Sequence, residues 1–278
     1  MSIMTSITRL VTATLTLSSA PLIASSAQLV FQNGRSVPLN AVDIAQDKVV
    51  IKAATEGLNL GQAFPLTSVS HVFGERPPEL NQAIALLLVE KPQDAIAKLE
   101  PVAATHRVSA KIAGNFWTES ARALLVAYAL MGDAARATQI GKDISDATPA
   151  QGSDPFVSLG KALLMPSSAS FEDREMALKD MTTDNLPADV AAYATFFRAK
   201  LLKEQKKNPE ALQAYLSVPG LFPSGGLIIN AAAEIHAANL LEMLNRRDEA
   251  GVLVKSALLA CQGTILADQA NRLLESLK

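Results

Sequence analysis

Five short strings recur along the chain: KPQDA (91–95), GDAARA (132–137), EDREMA (172–177), NPEA (208–211) and RDEA (247–250). Each carries an acid and closes on an alanine. The closing residues Ala95, Ala137, Ala177, Ala211 and Ala250 are 42, 40, 34 and 39 residues apart. Self-similarity at roughly 20–50 residues marks stacked supersecondary units. From Glu79 to Lys278, leucine and alanine recur at three- and four-residue steps, the helical period. Pro, Gly and Ser punctuate that pattern at 91–92, 132–133, 149–155, 166–170, 208–209 and 219–226. Each unit therefore reads as a first helix, a sharp turn, and a second helix opening with an acid and an alanine. In the third unit the first helix (156–165) is short.

Packing explains why alanine closes each string. Two helices approach closely only where a small side chain lets their backbones near each other. Ala95, Ala137, Ala211 and Ala250 are expected to be those contacts, with larger residues such as Tyr128 and Tyr215 filling the space between pairs. The stretch ARALLVAYALMGDAARA (121–137) shows the plan: a helix, a break at Gly132-Asp133, and a second helix. Arg122, Asp133 and Arg136 argue against a membrane span there.

This second unit resembles the tetratricopeptide repeat family. Leu124, Tyr128, Ala137 and Pro149 fall at the family's positions, while Ala121, Leu125 and Gly141 depart from it. Ala199, Leu202, Ala211, Tyr215 and Pro223 fall in register in the fourth unit, Ala238, Leu241 and Ala250 in the fifth, and Ala83, Leu86, Ala95 and Leu99 in the first. The third unit, around Ala177, matches poorly. The resemblance spans roughly residues 79–262. It implies a mainly α fold, an α-solenoid of about five helix pairs whose shared core no single pair could bury alone. It also implies a concave face, lined by the first helices, that takes an extended peptide or a partner helix. Helical register places Glu119, Arg122, Tyr193, Phe196, Lys200, Asn239 and Glu242 on that face.

Ahead of the helices, residues 28–76 have strand character. LVF (29–31) leads to Asn33-Gly34, a hairpin signal. DKVVIKA (47–53) alternates, and AFPL (63–66) and VSHVF (69–73) come after it. Four or five short strands suggest a small antiparallel barrel or meander. About 48 residues is little to fold alone, so the module should lean on the helical region next to it. GERPP (74–78) ends it, because a residue before proline avoids the helical region of backbone space. Residues 1–27 read as an export signal. Arg9 is the only charge, an apolar region runs from Leu10 to Leu17, and Ser25-Ser26-Ala27 suits cleavage before Gln28. The expected destination is the periplasm or the exterior, with no stable membrane span after cleavage.

Chemistry-bearing patterns are sparse. Net charge is −2, which gives no general attraction for nucleic acid. The three histidines, His71, His106 and His236, and the single Cys261 have no metal-ligand spacing, so neither a metal nor a cofactor is expected. Cys261 lies in an apolar run and reads as a buried thiol. The acids of FEDRE (171–175) suit a helix start. The basic run FRAKLLKEQKK (197–207) suits a solvated helix face, and Phe116-Trp117 suits core packing. These observations lead to an exported, non-catalytic scaffold or adaptor that binds protein. Two alternatives stay open: an envelope glycan-cleaving enzyme with convergent carboxylates in a groove, or a ligand-binding β module on a helical spacer.

Overall fold

The computed structural model describes residues 27–55, 57–147, 152–183 and 185–278. The expected export signal, apart from Ala27, and Pro149 lie outside the described residues. The Asn33-Gly34 turn joins β1 (Gln28–Phe31) to β2 (Ser36–Pro38) as an antiparallel hairpin with Leu29 opposite Val37. The module holds six described strands, more than the four or five expected, because two of them are only three residues long. β3 (Val42–Ala45), β4 (Lys48–Ile51) and β5 (Ala63–Pro65) form a second antiparallel sheet. β6 (Val69–Phe73) returns to pair with β1, so the strand orders are β2-β1-β6 and β3-β4-β5. The alternation expected in β4 is present: Val49 and Ile51 are buried while Lys48 is exposed.

The β core is Leu29, Phe31, Val37, Val42, Val49, Ile51 and neighbours, and the helical region completes it with Ile112 and Val108. The Val72 amide donates to the Ala113 carbonyl at 2.9 Å. The small module thus leans on the segment between the second and third helices.

Ten helices form consecutive pairs: α1 (Pro78–Leu88) with α2 (Pro92–His106), α3 (Trp117–Leu130) with α4 (Ala134–Ala147), α5 (Pro155–Leu163) with α6 (Phe171–Lys179), α7 (Ala188–Glu204) with α8 (Asn208–Leu221), and α9 (Leu227–Met243) with α10 (Arg247–Ala260). α11 (Ile265–Ser276) closes the chain. In four pairs the turn is the same. Glu90, Gly132, Lys206 and Asn245 take the left-handed conformation, with φ of 63°, 72°, 59° and 59°. The next amide in each reaches back five residues: Lys91 to the Leu86 carbonyl, Asp133 to Tyr128, Lys207 to Leu202 and Arg246 to Leu241, at 2.9–3.0 Å. This closure satisfies carbonyls that a helix end leaves free. Only Gly132 adopts it without a side-chain penalty; the other three hold a conformation that costs about 1 kcal/mol.

The residue after each left-handed one then starts the second helix. The carbonyls of Lys91, Asp133, Lys207 and Arg246 accept from the amides of Ala95, Ala137, Ala211 and Ala250 at 2.9–3.1 Å. All four alanines are buried. The third pair lacks this turn. A longer link, residues 164–170, joins α5 to α6, where Ser170 caps by accepting from the Asp173 amide at 3.0 Å. Ala177 is only partly buried, in keeping with the weak third unit.

First and second helices differ in depth. α3 buries ten of its fourteen residues and α4 three of fourteen; α9 buries ten of seventeen and α10 three of fourteen. The first helices are therefore interior and the second helices form an outer layer. The first helices also lie in a closed round. α1 packs on α3, α3 on α5, α5 on α7, α7 on α9, and α9 back on α1, with α11 against α1, α9 and α10.

Candidate functional site

The closed round brings the N-terminal ends of all five first helices to one place. A pocket of about 510 Å³ opens there, within the range of small-ligand sites. Its polar lining comes from Arg76, Asn81, Glu119, Arg122, Asp189 and Tyr193. Its apolar lining includes Ile84, Ala123, Phe156 and the first residues of α9.

Two arginines organise the charge. The Arg76 guanidinium, on the connector from the β module, grips both oxygens of Glu119 on α3. Arg122, one turn further along α3, donates through Nε and Nη2 to Asp154 Oδ2 at 3.0 and 2.7 Å, and through Nη1 to Asp189 Oδ2 at 3.3 Å. It thereby ties the starts of α5 and α7 to α3. The same guanidinium lies 5.1 Å from the centre of the Phe156 ring. The carboxylates occupy these positions because acids near a helix start complement its dipole. Asp154 caps α5, accepting from the Phe156 amide at 3.0 Å. Asp189 accepts from the Val190 amide at 2.8 Å. Each acid that lines the pocket is thus engaged by a guanidinium.

Tyr193 is held between these charges and an aromatic chain. Its ring meets Phe156 edge-on at 5.6 Å and Phe197 at 6.3 Å. Phe197 meets Phe196, and Phe196 meets Tyr215 and His236 at 5.5 and 5.4 Å. Burial, reinforced by Glu119 and Asp189, raises the Tyr193 hydroxyl well above the ordinary tyrosine value, so it keeps its proton.

Of the residues projected onto a concave face, Glu119, Arg122 and Tyr193 therefore line one pocket. The other four do not join them. Phe196 is 1% exposed, enclosed by Phe197, Tyr215 and His236, and is core rather than outward-facing. Lys200, towards the far end of α7, pairs with Glu90 and Glu204. Asn239 turns its amide onto the Ile235 carbonyl, and Glu242 accepts from Ser276 on α11. Sequence patterns alone did not single out Arg76, Asp154 and Asp189. Their signal was an acid recurring at first-helix starts with an arginine within reach.

Close backbone approach shapes the pocket wall. Gly225 sits where a Cβ would lie 2.5 Å from the Ala192 Cβ and 2.8 Å from the Ala188 carbonyl oxygen. Gly225→Ala is expected to push the start of α9 away from α7 and cost about 1–3 kcal/mol, read as a lower urea midpoint at unchanged slope.

Elsewhere the titratable groups have structural duties. Arg198 pairs with Glu175, and Lys207 lies over the Phe171 ring. Trp117 is buried, with Arg107 above its ring. Cys261 is fully buried, and burial raises its thiol. Among the described residues no group of three or more His, Cys, Asp or Glu is placed to hold a metal, and no helix is long and apolar enough to cross a membrane. Comparison of the chain with protein-family models, curated proteins and solved structures finds no match.

Proposed function

We propose that this chain is an exported, non-catalytic adaptor built from tetratricopeptide-like helix pairs, and that it binds a protein partner through its last two pairs. The observation that carries this reading is the distribution of exposed apolar side chains. Eleven large ones stand exposed among the described residues, and seven lie between Leu216 and Leu259. Leu221 is 69% and Leu259 86% exposed. Exposed apolar side chains serve as an interaction site where they form one patch. The repeated turn at four of the five pairs supports a stacked array, in which neighbours share a core and outer helices face outward.

The test uses the full chain expressed in its own host. Its mature form should begin at Gln28. Crosslinking in the envelope fraction should capture a protein partner, and the double variant Leu221→Glu/Leu259→Glu should lose that partner while keeping its melting temperature. Turnover of cell-wall glycan, abolished by Glu119→Gln or Asp189→Asn, would favour the glycan-cleaving alternative instead.

A further inference from the structure

The five first helices do not meet the pocket in the same way. α1 has Glu79 in its first turn and α3 has Glu119. α3 also has Asn115, whose side chain accepts from the Thr118 amide at 2.8 Å. α5 has Asp154 and α7 has Asp189. α9 has none of these. Gly226 precedes it, no side chain caps it, and its first turn, Leu227-Ile228-Ile229-Asn230, holds no acid. Its hydrogen bonding begins with the Asn230 amide donating to Gly226 at 3.1 Å. The amides of Leu227, Ile228 and Ile229 thus have no partner among the described residues, and all three residues line the pocket.

A second group points to the same place. Tyr193 is 7% exposed and lines the pocket, and its hydroxyl makes no hydrogen bond among the described residues. A phenol this buried ordinarily has a partner. The contact of Gly225 with Ala188 and Ala192 sets the start of α9 beside this turn of α7. The free amides and the free hydroxyl therefore belong to residues that line the same pocket. Arg76 and Arg122 are each engaged by carboxylates, and the starts of α1, α3, α5 and α7 each carry an acid, so the α9 dipole, about half a positive charge, is the one that no acid at its own helix start offsets.

We propose that the pocket is a binding site for a small amphiphilic carboxylate. Its carboxylate accepts from the first-turn amides of α9 and from the Tyr193 hydroxyl, as anions do at helix starts. Its apolar part rests on Ile84, Ala123 and Phe156. A neutral apolar ligand would leave those donors unpaired, and an amine would meet the donors of α9 with no acceptor to offer.

The test is calorimetric titration of the full mature chain with octanoate, octanol, octylamine and acetate. Octanoate should bind at least about tenfold more tightly than octanol, since a hydrogen bond to a charged group is worth that factor. Acetate should bind more weakly than octanoate for want of apolar contact. Tyr193→Phe should weaken octanoate about tenfold and leave octanol unchanged. Leu227→Asp supplies the carboxylate that α9 lacks at a 71% exposed position, and should weaken octanoate by more than about tenfold while Leu227→Asn does not. Melting curves check that each variant is folded; if Leu227→Asp is not, Tyr193→Phe decides alone. Octanol or octylamine binding as tightly as octanoate would overturn the proposal. So would the absence of octanoate binding, or octanoate affinity unchanged in Tyr193→Phe.

Discussion

Replacing Arg122 with methionine should lower the stability of the folded chain by about 3 kcal/mol, because it strands a buried carboxylate. The Asp154 side chain is 3% exposed, and Arg122 is its charge partner. Without that arginine, Asp154 keeps only the Phe156 amide, and Asp189 loses its link to α3. The start of α5 then has no tie to the start of α3 except packing. The double variant Arg122→Met/Asp154→Asn should recover most of the loss. Asparagine caps a helix about as well as aspartate and carries no charge to strand. Urea unfolding of the parent and both variants checks this. A single variant within about 1 kcal/mol of the parent would show that the arginine bears no such duty.

Mild acid should produce a loss of similar size through a different group. His236 on α9 stacks on Tyr215 at 5.1 Å and 11°, and meets Phe196 edge-on. Neither ring nitrogen has a hydrogen-bond partner; the Leu88 carbonyl approaches, favouring protonation slightly, without reaching bonding geometry. Burial, helped by Lys203 and Lys200 against the opposing pull of Glu90, pushes the imidazole down from 6.5 to about 4. The unfolded chain therefore binds the proton at higher pH than the folded one. The stability held above pH 6.5 is lost as pH falls through the window down to about 4, by about 3 kcal/mol at its lower end. His106, also lowered by burial, adds a loss in the same direction. His236→Phe should flatten most of this slope. A stability profile between pH 4 and 6.5 that is as steep in the variant as in the parent would assign the acid sensitivity elsewhere.

The recurring turns were legible because their cause is local. A left-handed residue, an amide reaching back five residues and a small residue four positions on are all set within one stretch of chain. Gly132-Asp133 and Ala137 show this, and Glu90, Lys206 and Asn245 adopt the same geometry without a glycine to announce it. The hairpin at Asn33-Gly34 was legible for the same reason. Other features depend on distant residues. Phe196 was projected outward, but α7 is apolar on nearly every side from Val190 to Leu202, so no polar stripe marks a surface. β2 and β5, at three residues each, are too short to show alternation. Arg76 lies in a connector whose prolines draw attention, yet its purpose emerges only once Glu119 is beside it in space. The pocket itself is made by the meeting of five helix ends, which no single segment records.

The contact between α9 and α1 joins the two ends of the helical region. In an open stack, each unit depends only on its neighbours and the ends fray first. Here α1 of the first pair touches α9 of the last, and α11 lies against both. Breaking that seam would also open the pocket, whose lining the five first helices share. If the proposed carboxylate fills the pocket, its binding adds to the stability of the folded ring by mass action, so occupancy and melting temperature should rise together.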